Sequence, residues 1–215
     1  VCDHEDLYLL TTGHQPLRSQ FRAFNATSAA SALAARMAAQ IQEEYPDAWP
    51  ETVRGLMVHA ASWPEAVKRQ FHSGEYSKTN LGRLLRYCGY GTPDLAKALS
   101  CMSNSVTLVA ESEIQPYTRK KSVYSTNDMH LYSLPWPKEA LLALGELQVA
   151  VRVTLSYFIE PGPGEVGWKD RYRYASHGLR FAMNAPSEDL DAFRKRINVA
   201  ARDDDDDKGG SSDSE

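Results

Sequence analysis

The run Asn25-Ala26-Thr27-Ser28-Ala29-Ala30 sets a serine at the start of an Ala-rich stretch of strong helix formers. A serine hydroxyl is a weak nucleophile until a base takes its proton and fixed dipoles stabilise the oxyanion that follows attack. A place in the first turn of a helix meets the second need. The free N–H groups and positive dipole end favour negative charge there, and the Ser28 N–H could itself donate to an oxyanion. Small neighbours leave room for a substrate backbone. Thr-Ser before an Ala-rich helix is equally an ordinary N-cap, so the local residues leave both roles open.

Other chemistries find less support. The histidines His4, His14, His59, His72, His130 and His177 are scattered, and each reads best as a structural or surface residue. His59 in particular reads as a packed or hydrogen-bonded helix side chain. His4 and His14 stand in the wrong context to serve as a base for Ser28. Cys2, Cys88 and Cys101 form neither a CxxC pair nor a Cys/His cluster at zinc spacing. Reduced thiols are the first reading, one disulfide with a spare thiol the second. No GxxxxGK[ST] loop, HExxH or EF-hand loop occurs, and Ser28 in Ala-Thr-Ser-Ala-Ala lacks the GxSxG elbow of an α/β-hydrolase. Neither a cofactor nor a metal is expected, calcium included, because the five Asp of the tail lack the fixed loop that oxygen coordination needs.

The 215 residues are 42% hydrophobic and 24% charged, with a formal charge of −4. That balance fits a globular protein with one large or two small domains and argues against a nucleic-acid partner, which calls for a basic face. No run approaches the roughly 20 apolar residues that span a bilayer. The chain begins at Val1, and a preceding segment is expected.

Several elements must position Ser28. Asp6 to Thr12 reads as a strand closed by a Gly-His-Gln-Pro turn. Thr27 to Glu44 reads as a helix whose first half is apolar on nearly every side and therefore buried. A second helix starts at Pro50 and runs to about Ser62; Lys68 to Asn80 reads as a surface excursion. A short helix, a Gly-Tyr-Gly turn and a helix from Pro93 to Ser100 follow, opened by Thr92 or Pro93. Beyond Met102 the character changes. Ser105–Ala110, Met129–Leu134, Leu147–Ile159, Arg171–Ala175 and Gly178–Met183 read as strands. The third is the cleanest, with Leu147, Val149, Val151, Val153, Leu155 and Tyr157 alternating with more polar residues. Ser187 is suited to cap a final helix. Aromatic Trp168, Tyr172 and Tyr174 suit a sandwich core or a binding surface. The expected organisation is a boundary near Met102, mostly helical before it and mostly strand after it, and an acidic disordered tail or loop over 203–215. The tail's Asp-Lys string also matches an enterokinase-type site, and native and engineered origins both fit it.

Asn25 to Ala35, then Tyr45-Pro46, Thr52, Val53, Arg54 and Leu56, then Tyr87 to Gly91 and the helix of Ala96 to Leu99, stand in the order and spacing of one known pattern. Over residues 5–102 the chain resembles the nucleophile segment of subtilisin-like serine peptidases. There the serine lies in an Asn-Gly-Thr-Ser-x-Ala run and opens a long buried helix. VRVTLSYFIEPGPGE is similar to the strand and loop of the β-sandwich that follows the catalytic domain in larger subtilases. Together these segments look closest to a bacterial intracellular branch often encoded beside an AAA-type ATPase, in part linked to anti-phage defence.

The resemblance implies an α/β fold: over 1–102 the C-terminal part of a subtilisin-like, doubly wound catalytic domain, mostly helices here, followed over 103–202 by a jelly-roll-like β-sandwich domain, whole or in part. It implies Ser28 as nucleophile, Asn25, Ala26 and Thr27 as its supporting turn, and a polypeptide substrate. The catalytic Asp, His and oxyanion Asn precede the serine in that family, so they are expected upstream and this chain alone is expected to be inactive. The missing N-terminal part and an AAA-type ATPase are the implied partners, and the cytoplasm the implied location. The sequence departs from the family where Ala26 replaces Gly, Ala29 replaces Met and Ala32 replaces Pro. Ala26 is expected to be strained if the turn needs positive φ. A non-catalytic module, binding a partner through its β-sandwich, is the rival reading.

Overall fold

Apolar side chains at Met37, Ala38, Ile41 and Tyr45 recur along one side of the first long helix, and two further helices close over them. The computed structural model describes residues 8–71, 77–103, 107–120, 123–134, 137–159, 179–185 and 188–209. The chain divides into two units. The first takes Val1–Val109 with Val149–Ser156, the second Ala110–Gln148 with Tyr157–Glu215.

The first unit opens with an antiparallel hairpin, β1 (Leu9–Thr12) and β2 (Phe21–Phe24), in register from Leu9 opposite Phe24 to Thr12 opposite Phe21. Gly13 closes it by donating to the Gln20 carbonyl at 2.9 Å. A Cβ on Gly13 would meet the Ser19 carbonyl oxygen at 2.4 Å, so the turn requires glycine. Helix α1 (Thr27–Glu44) leaves β2 after two residues. Its end is tied by the Gln42 side chain, which donates to the carbonyls of Tyr45, Pro46 and Ala48 at 3.1, 2.8 and 3.3 Å. Helix α2 (Pro50–Ala60) carries Pro50 at its start, where no N–H is needed, and Glu51 in its first turn.

Helices α3 (Glu65–Phe71) and α4 (Lys78–Cys88) take up both ends of the expected surface excursion Lys68 to Asn80, of which residues 72–76 lie outside the described residues. Ser77 caps α4 by accepting from the Asn80 N–H at 3.1 Å, and Gly89 ends it at φ 55°. Helix α5 (Leu95–Cys101) starts two residues later than expected. Asp94 is its N-cap rather than a first-turn residue, accepting from the Lys97 N–H at 3.1 Å.

Ile41, Val53, Leu56, Ala60, Ala98 and Cys101 form the buried centre of the α1–α2–α5 stack. Tyr45 donates its hydroxyl to the Leu99 carbonyl across the same stack. Cys88 and Cys101 are free thiols, while Cys2 lies outside the described residues.

This packing corrects one expectation. The first half of α1 is not buried: Ala30 and Ala32 are exposed and Leu33 is 48% exposed. The reason is geometric. The core shared with the other two helices takes in α1 residues from Met37 onward, and at 1.5 Å per residue Ser28 stands about 20 Å from Ile41 along the axis.

In the second unit the hairpin of β3 (Tyr117–Lys120) and β4 (Val123–Thr126) is accompanied by α6 (Lys138–Ala143) and α7 (Leu190–Gly209). Among the described residues no strand forms over 107–110, 129–134, 147–159 or 179–183, where strands were expected. In the first unit, Arg152, Thr154 and Ser156 of the cleanest of these take partners on α2 instead of on a neighbouring strand. Residues 171–178, the cap at Ser187 and the aromatics Trp168, Tyr172 and Tyr174 lie outside the described residues. Asp189 caps α7, accepting from the Ala192 N–H at 2.7 Å. The helix then continues to Gly209, into the Asp run expected to be unstructured, because each further residue adds a hydrogen bond once a helix has nucleated.

Candidate active site

The site is built where β2 hands over to α1. Asn25 and Ala26 form the two-residue joint, and Ala26 is the N-cap residue with φ −166° and ψ 171°. That is extended backbone open to any residue, so the strain expected of Ala26 is absent. Neither Thr27 nor Ser28 caps the helix; both lie inside its first turn, and no side chain caps it. The plain N-cap reading of Ser28 is therefore set aside. The Ser31 hydroxyl donates to the Thr27 carbonyl at 2.9 Å.

Ser28 is exposed. The Ala26 carbonyl accepts from the N–H groups of Ala29 and Ala30 at 2.9 and 3.2 Å. Among the described residues the Ser28 N–H has no backbone acceptor, as the first N–H groups of a helix must, and its hydroxyl has no side-chain partner. An exposed hydroxyl and an unpaired N–H thus share one residue at the positive end of an 18-residue helix. A cavity of about 340 Å³ adjoins the turn, lined by Tyr8, Leu9, Asn25, Ala26, Ala29, Ala30 and Leu33. Its lining is mostly apolar, with Asn25 and Tyr8 the two residues that carry polar side chains. Tyr8, Leu9 and Leu33 carried no sequence signal for this role; only the hairpin register brings Leu9 beside the turn.

The described histidines do other things. His14 is exposed on the β1–β2 loop. His59 is half-buried on α2, its Nδ1 at 2.9 Å from Thr154 Oγ1, which matches the expectation of a hydrogen-bonded helix side chain. Burial first, then the positive charges of Arg152 and Lys97, hold it below the ordinary imidazole pKa. In the second unit His130 Nδ1 lies 2.9 Å from the Ser112 hydroxyl. His4, His72 and His177 lie outside the described residues. Among the described residues no three His, Cys, Asp or Glu side chains gather as metal ligands, and no helix is long and apolar enough to cross a membrane.

Comparison with known proteins bears on the same segment. The model of the Subtilase family, a peptidase family, matches residues 1–91. An uncharacterized protein, y4bN, of Sinorhizobium fredii (strain NBRC 101917 / NGR234) is 25% identical over 201 residues, which cover 92% of this chain and 41% of that protein. The chain thus spans less than half the length of this curated relative. No solved structure matches it. The family match takes in the hairpin, the Ser28 turn, α1, α2 and the glycine turn after α4, and it supports a subtilisin-like serine peptidase at the level of the family.

Proposed function

We propose that Ser28 is the nucleophile of a serine endopeptidase, with the catalytic Asp, His and oxyanion Asn supplied by sequence upstream of this chain. In this reading the Ser28 Oγ attacks the scissile carbonyl while the upstream His takes its proton. The carbonyl oxygen becomes an oxyanion that accepts from the Ser28 N–H and the upstream Asn amide. Collapse breaks the C–N bond; the leaving amine takes the proton from His, and the acyl group stays on Ser28. Water, deprotonated by the same His, then releases the carboxylate product and restores the serine. Asn25, Ala26 and Thr27 hold the turn in place.

One observation carries the reading: the exposed Ser28 hydroxyl and its unpaired N–H stand at the start of α1, within the segment that matches the family. The nearby cavity is lined by Asn25, Ala26, Ala29 and Ala30 and not by Ser28 itself. The exposed apolar side of α1 around Leu33, and Leu10 at 73% exposure, fit surfaces to be covered by the upstream part. The apolar positions Val149, Val151, Val153 and Leu155, all exposed, fit a sheet face completed by further chain, as a β-sandwich domain requires. The substrate is then a polypeptide, an AAA-type ATPase is a partner by family resemblance, and the protein works in the cytoplasm on neither nucleic acid nor membrane. The 215-residue chain alone is inactive.

Turnover of a peptide library by the full-length gene product, with and without Ser28→Ala, tests this. Loss of hydrolysis by about 10,000-fold or more is expected. Undiminished hydrolysis in the variant removes Ser28 from the reaction. No hydrolysis by either protein favours the non-catalytic, partner-binding module.

A further inference from the structure

Residues 149–156 return to the first unit and lie against α2 by their polar edge. Arg152 donates from one guanidinium nitrogen to the carbonyls of His59 and Ala61, at 2.8 and 3.1 Å. These carbonyls close the last turn of α2, where backbone acceptors lack partners and the helix dipole favours a cation. Two residues on, Thr154 Oγ1 meets His59 Nδ1 at 2.9 Å. Two further on, the Ser156 hydroxyl accepts from Arg54 Nε at 3.0 Å. The spacing of two is that of an extended chain presenting one edge, running antiparallel to the helix. Gly55 leaves the room: a Cβ there would stand 3.3 Å from the Ser156 Cβ.

The middle contact is the titratable one. His59 is half-buried, and the charges acting on it are Arg152 from the segment and Lys97 from α5, both cations. The Thr154 hydroxyl can donate to or accept from the neutral ring. A protonated ring can only donate there, and it adds a third positive charge to Arg152 and Lys97 in a half-buried place.

We propose that Val149–Ser156 is an acid-released strap: at neutral pH its polar edge holds the C-terminal end of α2, and protonation of His59 loosens it. The sign follows from linkage. The docked state holds His59 below its ordinary value of 6.5, so the undocked state binds the proton more readily. The strap's hold is complete above pH 6.5 and weakens as the pH falls below it. This inference stands apart from the peptidase reading, because it concerns α2 and not the chemistry at Ser28.

An NMR titration of His59 in the 215-residue chain, alongside hydrogen exchange between about pH 7.5 and pH 5 corrected for intrinsic rates, tests it. The expected result is a His59 midpoint below 6.5, with a several-fold loss of protection at residues 58–61 and 149–156 over the same range. Arg152→Met is expected to lower protection at every pH and to raise the His59 midpoint, a shift that a purely packing role for Arg152 would not produce. His59→Gln is expected to flatten the pH dependence. A wild-type midpoint at or above 6.5, or protection unchanged across the range, overturns the proposal without any variant. So does a folded His59→Gln chain that keeps the full pH dependence.

Discussion

Ser62 and Thr92 bond to each other in both directions, Ser62 N–H to Thr92 carbonyl at 3.0 Å and Thr92 N–H to Ser62 carbonyl at 2.9 Å. This single bridge fastens the turn after α2 to the turn before α5, and Trp63 adds a bond from its ring N–H to the Gly89 carbonyl at 3.1 Å. Gly91 makes the bridge possible. Its φ is 100°, and a Cβ there would lie 2.5 Å from the Ser62 carbonyl carbon and oxygen. Gly91→Ala is therefore expected to destabilise the first unit by about 2 kcal/mol or more, read by urea denaturation. An unchanged midpoint would mean that the two turns are not held together.

Ala26 gives the opposite expectation. At φ −166° it needs no glycine, so restoring the family's usual Gly relieves nothing and adds backbone freedom to the unfolded chain. Because Gly is also better tolerated than Ala at an N-cap, the two effects offset, and Ala26→Gly is expected to change stability by less than about 0.5 kcal/mol. A gain beyond that by thermal unfolding would show that the turn before Ser28 is strained after all.

Ile41 is fully buried and lies where α1 meets α2 and α5. Ile41→Ala removes side-chain volume that little else in so small a core can replace. A loss of about 2–5 kcal/mol is expected from chemical denaturation followed by helical circular dichroism. Leu33→Ala, on the exposed half of the same helix, is expected to cost far less.

In the second unit, Glu188 accepts from Arg196 Nε at 2.8 Å and Arg196 Nη2 at 2.9 Å, and from the Ala185 N–H at 3.0 Å. The Arg196 guanidinium, with the Ala185 N–H second, draws the carboxyl down from 4.5 to about 2. A lowered carboxylate holds its partners fully above the unfolded value and loses them as the pH falls through the folded one. The start of α7 is therefore expected to keep its structure from neutral pH down past 4.5 and to loosen toward 2. A carbon-detected titration of Glu188 checks this, and a midpoint near the ordinary carboxylate value would contradict it. Arg196→Gln should raise the midpoint back toward that ordinary value, short of it while the Ala185 N–H still donates.

Much of the first unit is legible in its residues because the signals are local. Pro50 opens α2, the Ala-rich run from Thr27 makes α1, and Tyr87 to Gly91 announces a glycine turn. Ser28 itself was recognisable only through the order of its flanking segments, since Thr-Ser before alanines reads equally well as a cap. What stayed hidden is long-range. The alternation from Leu147 onward tells which residues share a face, but not that Arg152, Thr154 and Ser156 would find partners more than 90 residues earlier on α2. Nor does an all-round apolar helix reveal that, among the described residues, the buried core takes in α1 only from Met37 onward.

The central claim concerns the reactivity of Ser28. A fluorophosphonate probe, which phosphonylates only serines activated by a neighbouring base and an oxyanion site, reads it directly when the adduct is mapped by mass spectrometry. The full-length gene product is expected to carry the adduct on Ser28 and to lose it in Ser28→Ala, while the 215-residue chain alone stays unlabelled. Folded full-length protein with no adduct at Ser28 would contradict the account.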